Sequence, residues 1–252
     1  MRRLGAISRR FAGQRGDVFG GALGPVTAFT PSGPDYWEES AASAVTAGST
    51  TMTLAALFRI NTAFAGTKYL MSSFTSTGGE GYALYHASTA IRARVYDGTA
   101  TAQDVLARTY ASDDLNKTHF LVATLDSGTL TVYWNGVETG SASVTGYTAS
   151  TQPLALGALS GAGNAIDDGD LVGHYVSSDT AISSAEVSSW WANIRSIGNL
   201  VDPNLSSTNE DLWVFDDAAG APVSFDGQIN STTINKQGTG GTEVSFVPVF
   251  GT

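Results

Sequence analysis

Three stretches of the 252-residue sequence hold the side chains with which it could do chemistry. The run GNAIDDGD (163–170) sets Asp167, Asp168 and Asp170 close together, the hard oxygen ligands that calcium takes. No complete calcium-loop pattern is spelled out around them, so a solvated acidic turn is the alternative. His86, His119 and His174 each fall in a run that reads as a strand, with no neighbouring ligand pattern, and are expected as surface or strand-edge histidines. Glu38-Glu39 and Glu210-Asp211 are adjacent carboxylates, which a strand sends to opposite faces, so neither pair suits joint acid–base work. Cysteine is absent, which excludes a disulfide, a thiolate metal site and a cysteine nucleophile. No phosphate-cradling loop with a following Lys-Ser/Thr is present. No cofactor is expected, calcium being the one ion the acidic loop could hold.

The third stretch is the start. Arg2, Arg3, Arg9, Arg10 and Arg15 are five of the 13 basic residues, and none of the 23 acidic residues precedes Asp17. Residues 16–252 are left with 8 basic residues against the 23 acidic ones, a formal −15 within a net −10. Such a body repels phosphate, so nucleic acid is not an expected partner. Leu4, Ile7, Phe11 and Phe19 space apolar anchors among the arginines. Glycines at 13, 16, 20, 21, 24 and 33 and prolines at 25, 31 and 34 prevent a regular helix from Gly13 onward. Residues 1–37 therefore read as an extended arm that docks on a partner protein or a neighbouring subunit, with a merely solvated arm as the alternative. The first residues lack the apolar run of a signal peptide, and no later stretch is long enough to span a membrane, so no membrane partner is expected.

The remainder must position these groups, and its pattern is that of strands. Residues 118–143 (THFLVATLDSGTLTVYWNGVETGSAS) alternate apolar and polar, turn at Asp126-Ser127-Gly128, alternate again, and turn at Asn135-Gly136. Asn-Gly supplies the two positive-φ residues of a type I′ turn, so three consecutive antiparallel strands are expected. Trp134 falls on the face of Leu130 and Val132 and reads as core. Met52, Leu54, Ala56, Phe58 and Ile60 share one face, predicting a strand packed on one side only. Further strands are expected at 68–71, 81–86, 90–96, 104–110, 152–159, 171–176, 211–215 and around 243–250. In the third of these Ile91, Ala93 and Val95 point inward and Arg92, Arg94 and Tyr96 outward. One helix stands out. Ser183 and Glu186 form a capping box, Ile182 and Val187 a hydrophobic staple, and Val187, Trp190, Trp191 and Ile194 one apolar stripe ending at Gly198. Its paired tryptophans read as packing rather than as a sugar platform.

The order of these elements, with Tyr133-Trp134-Asn135-Gly136 closing a hairpin and YVSSDTAISSAEV (175–187) leading from a strand into a short helix, resembles the laminin-G-like, concanavalin-A-like jelly-roll superfamily over roughly residues 44–194. The resemblance implies an all-β, antiparallel jelly-roll sandwich over 38–198, with an arm before it and a 199–252 extension contributing edge strands. DLWVFDDAAG (211–220) is similar to the strand that usually opens such domains, which implies a rearranged edge. The resemblance also implies calcium at a loop rim, where Asp167, Asp168 and Asp170 would serve. Glycosidases of this fold carry paired glutamates in an E-x-D-x-x-E arrangement, which is missing here, so an enzyme is not expected. The expected function is a virion structural protein, such as a bacteriophage capsid decoration, fibre or tail-associated subunit. The arm would hold capsid or tail protein or the chain's own subunits. A carbohydrate-binding lectin-like module for cell-surface glycan is the second expectation, resting on the fold by analogy, and a glycan-active enzyme the third.

Overall fold

Alternating runs punctuated by positive-φ turns leave each strand beside its predecessor, and the antiparallel ladders follow from that. In the computed structural model the described residues are 23, 26–30, 36–63, 65–74, 79–97, 101–159, 164–167, 169–203, 209–215, 224–226, 229, 232–237 and 242–251. With strands numbered in chain order, the first sheet runs β10 (Val137–Ser143), β9 (Thr129–Trp134), β8 (Lys117–Asp126), β3 (Met52–Ile60), β12 (Gly169–Ser177), β1 (Val26–Thr30) and β16 (Thr242–Phe246). β13 (Glu210–Val214) pairs with the later half of β12. The second sheet runs β14 (Ser224–Asp226), β15 (Thr233–Gln237), β2 (Tyr36–Glu38), β11 (Ala155–Leu156), β4 (Thr67–Ser73), β5 (Tyr82–Ala87), β6 (Ala90–Tyr96) and β7 (Ala102–Thr109). All the ladders are antiparallel, and the two sheets face each other as a sandwich.

The turn at 135–136 has the expected form, with φ of 51° at Asn135 and 82° at Gly136. Glycine is needed there twice over, because a Cβ at 136 would also lie 2.8 Å from the Cβ of Trp191. The apolar faces of β3, β8, β9, β6 and β12 meet between the sheets with Trp37, Tyr82, Trp134 and Trp213. The helix α1 (Ser184–Ile197) carries the capping box at Ser183 and Glu186 and ends at Gly198 in the left-handed region. Its stripe of Val187, Trp190, Trp191 and Ile194 packs on the outer face of the first sheet, against Ala55, Leu57, Phe120, Val122 and Tyr175. Phe120 sits edge-on to Trp190 at 4.9 Å and stacks on Trp191 at 5.8 Å, contacts worth about 0.5–1.5 kcal/mol each beyond their buried area.

Four expectations about the elements change. β3 is buried on both faces rather than one, because α1 and its aromatic neighbours cover the side that includes Ala55 and Leu57. Part of the stretch expected as an arm over 1–37 is sheet: Val26–Thr30 ladders with β16, and Tyr36–Glu38 ladders with β15 and β11. VTAFT is rich in β-branched and aromatic residues, and it takes a place between β12 and β16. The strand expected over 152–159 shrinks to Ala155–Leu156, between Pro153 and the positive φ of Gly157 (83°). The last strand stops at Phe246, and Pro248 follows it. β13 and β16 join the first sheet and β14 and β15 the second, with β13 laddered on β12.

Candidate functional site

The two broad outer faces of the sandwich differ. α1 seals the first sheet's. On the second, strand alternation sends Ile91, Ala93 and Val95 into the inter-sheet core and turns Arg92, Arg94 and Tyr96 outward, as the pattern predicts. Register then assembles a surface from four strands. Tyr69 of β4 stands opposite Tyr85 of β5, Tyr85 opposite Arg92 of β6, and Arg94 opposite Asp104 of β7. Tyr69, Phe74, Ala83, Tyr85 and Tyr96 form an aromatic cluster separate from the main core. Tyr69 stacks on Tyr85 at 5.7 Å, and Phe74 lies 5.6 Å from Tyr69 and 5.3 Å from Tyr96.

Arg94 sits over this floor, 4.9 Å from the Tyr85 ring and 5.7 Å from that of Tyr96. It donates from Nε and Nη2 to the two carboxylate oxygens of Asp104, both at 2.6 Å. It also donates from Nη2 to the Tyr85 hydroxyl at 3.2 Å and from Nη1 to that of Tyr96 at 3.4 Å. The Asp104 hydrogen bonds hold the guanidinium firmly charged. Burial, with the Asp104 charge behind it, pushes the Tyr85 hydroxyl up and keeps it protonated. The four rings are themselves buried, at most 8% exposed, so the face presents the charged donors of Arg94 and the carboxylate of Asp104 on a water-excluding aromatic bed, where hydrogen bonds gain strength. Of these side chains, Arg92, Arg94 and Tyr96 were legible as outward-facing. Tyr69, Tyr85 and Asp104 were missed as partners, although the three-residue spacing of Tyr82 and Tyr85 already puts one tyrosine on each face.

The residues singled out from sequence lie elsewhere. Asp170 is buried and paired with Arg59 at 2.5 Å, and Asp167 is paired with Lys68 at 2.8 Å. Asp168 lies outside the described residues. Among the described residues no three metal-ligating side chains cluster. Arg2, Arg3, Leu4, Ile7, Arg9, Arg10, Phe11, Arg15 and Phe19 also lie outside them.

The histidines are a correction, since none is at the surface or a strand edge: all three are fully buried. Each stands on the inward face of its strand, across from Ile91, Phe58 or Ala56, all members of the inter-sheet core. His119 stacks on Trp134 at 4.6 Å, its Nε2 lies 2.8 Å from the Asp114 carbonyl, and burial lowers its pKa. Burial lowers His86 to about 4 and His174 to about 3. All three are therefore neutral at pH 7.

The carboxylate pairs separate as strand geometry requires. Glu39 accepts hydrogen bonds from Thr46, Ser43 and the Leu154 amide, while Glu38 turns the other way towards Tyr36. Glu210 accepts a hydrogen bond from Tyr175. Burial first, and repulsion from Asp202, Asp179 and Asp211 after it, raise Glu210 to about 7. Asp211, on the other face, is fully buried among backbone amides.

Comparison with known proteins agrees with this architecture. No curated protein matches the chain. Among solved structures, one described as HCR/D-Sa-GBL1/C is 12% identical with a TM-score of 0.52, over 68% of this chain and 43% of that one. The binding domain of botulinum neurotoxin serotype D is 13% identical with a TM-score of 0.49, over 63% and 42%. The receptor-binding domain of botulinum neurotoxin type G is 13% identical with a TM-score of 0.49, over 68% and 45%. The chain thus spans less than half the length of these structures, and at such identities a likeness is one of fold alone. The model of the laminin-G-type family described as the concanavalin A-like lectin/glucanases superfamily matches residues 34–188, more than half of the chain, and this chain belongs to that superfamily.

Proposed function

We propose that this protein is a non-enzymatic, lectin-like module that binds glycan on the outer face of its second sheet. The carrying observation is the bidentate Arg94–Asp104 pair set on the Tyr69, Phe74, Tyr85 and Tyr96 floor, on the one broad face that α1 leaves clear. Sugars present hydroxyls that both donate and accept, and the Arg94–Asp104 pair answers them with charged donors and carboxylate acceptors. A glycan array with titration of the best binder tests the reading. Arg94→Ala is expected to weaken binding on the order of tenfold, the loss of one or two charge-assisted hydrogen bonds. Its melting temperature should barely move, because a partly exposed ion pair contributes only about 0–1 kcal/mol. Undiminished binding by the variant, or no glycan bound by the native protein, would sink the proposal.

A second reading is favoured by the segregation of charge, five arginines within the first 15 residues against a formal −15 in the rest. In it the module is a virion structural or attachment protein, a bacteriophage capsid decoration, fibre or tail-associated subunit. The basic segment docks on capsid or tail protein or on its own subunits, and the sandwich is presented to cell-surface glycan. Light scattering of the full chain against a chain lacking residues 1–22 tests this, the cut sparing β1 and β2. An oligomer that needs those residues is the expected result, and equal masses for the two chains would remove the docking role.

A further inference from the structure

β6 sets two arginines on the outer face of the second sheet, and they are not equivalent. Arg94 spends four hydrogen bonds on Asp104, Tyr85 and Tyr96. Arg92 is two residues from Arg94 on the same outward face and is half-buried, yet among the described residues no carboxylate and no hydrogen-bond acceptor meets its guanidinium. The other half-buried arginines, Arg59 and Arg94, both hold a carboxylate, as does the more exposed Arg108. In a chain of net charge −10, with 23 acidic side chains available, an arginine left without one is an unfilled position rather than a shortage of partners.

The local backbone supports that interpretation independently. The β6–β7 register shifts between Ile91 and Arg92, a bulge in the ladder. Bulges re-aim the side chains beside them and recur next to binding sites. Across the bulge, Arg92 faces Leu106, which is 40% exposed and is the one large apolar side chain this face presents to solvent among the described residues. On its other side stands Tyr85, whose charge-free hydroxyl is already held by Arg94. A planar guanidinium beside an apolar shelf is suited to an oxyanion carried on a ring: two parallel N–H groups meet the anion while the ring's C–H face covers Leu106.

We propose that Arg92, with Leu106 and Tyr85, forms an oxyanion subsite that gives the glycan face a preference for sugars bearing a carboxylate or a sulfate ester. The proposal rests on the glycan-binding reading of the same face. Neutral parts of the glycan lie along Arg94 and Asp104, and the acidic group points to Arg92.

The test pairs each neutral oligosaccharide with its carboxylated and its sulfated counterpart, in titrations against the full chain and against Arg92→Gln and Arg92→Lys. The native protein is expected to bind at least one acidic form on the order of tenfold tighter than the neutral one, an advantage that shrinks as salt is raised. Arg92→Gln should erase the advantage and leave neutral binding as it was, and Arg92→Lys should keep part of it, since lysine retains the charge but not the fork. The carboxylate and sulfate arms distinguish the two sources of the oxyanion. Neutral sugars bound as tightly as acidic ones, or an advantage that survives in Arg92→Gln, would overturn the subsite while leaving a glycan-binding face in place. Absence of binding to any sugar would remove the glycan reading itself, and the subsite with it.

Discussion

Replacing Asp211 by alanine is expected to cost about 4 kcal/mol, a large share of the 5–15 kcal/mol that holds a typical domain together. Its carboxylate is fully buried and accepts from three backbone amides: Leu212 at 3.0 Å, Ile229 at 3.0 Å and Thr232 at 2.7 Å. Two of those donors lie 18 and 21 residues away, so this one side chain ties Ile229 and Thr232 to β13. Trp213 adds a second tie, donating its indole N–H to the Thr232 carbonyl at 3.0 Å. Each buried amide left without an acceptor costs about 1–3 kcal/mol, which is the origin of the figure. Asp211→Asn keeps one of the two acceptor oxygens and should lose roughly half as much by the same reasoning. Urea unfolding of the three proteins checks the order. A loss below about 1 kcal/mol in the alanine variant would mean that water replaces the carboxylate and that Ile229 and Thr232 are not held by it.

Acid is the second strong lever. His86 and His174 have folded pKa values lowered by burial to about 4 and about 3, against about 6.5 in an unfolded chain. Below pH 6.5 the unfolded state binds protons that the folded state refuses, so stability falls as pH falls, by about 1.4 kcal/mol per pH unit for each imidazole. Glu210 works in the opposite direction. Raised by burial to about 7, it keeps its proton in the folded state, and the stability this contributes is lost as pH rises from about 4.5 through 7. Two imidazoles, with His119 acting in the same direction, outweigh the carboxyl, so stability should peak near pH 6.5 and drop by about 3 kcal/mol or more on acidification to pH 4.5. Removing one of the two imidazoles with His174→Leu should flatten the profile over that window, and Glu210→Gln should steepen it. Chemical denaturation at half-unit steps of pH reads all three profiles. A native profile that is level between pH 4.5 and 6.5 would contradict the burial of these rings.

Much of this molecule is local in origin and therefore legible in one dimension. Strand period, the Asn135-Gly136 turn, the Ser183–Glu186 cap and the Trp190-Trp191 stripe are set by residues within one turn or one hairpin of each other. The antiparallel sandwich and its single helix followed from them. Trp134 is core for the same reason: it shares a strand face with Leu130 and Val132, and that sharing is fixed by the two-residue repeat.

Tertiary pairing decided the rest. Period two says that Ala55 and Leu57 face away from Met52 and Phe58, but not that a helix more than 120 residues later will bury them. The same blindness misplaced the histidines, whose faces were readable while the depth of the core over those faces was not. Asp170 offers calcium-type oxygens in sequence, and in the fold one of them meets Arg59 on the adjacent strand. The proposed ligand face lies furthest from a linear reading. Tyr69, Tyr85, Arg92, Arg94 and Asp104 come from four strands, and only register and two ladder bulges bring them to one surface. A sequence determines which face of its own strand a side chain takes, because that is covalent geometry. Which side chains it meets there depends on hydrogen-bond register between segments, and that is settled only when the whole sandwich closes.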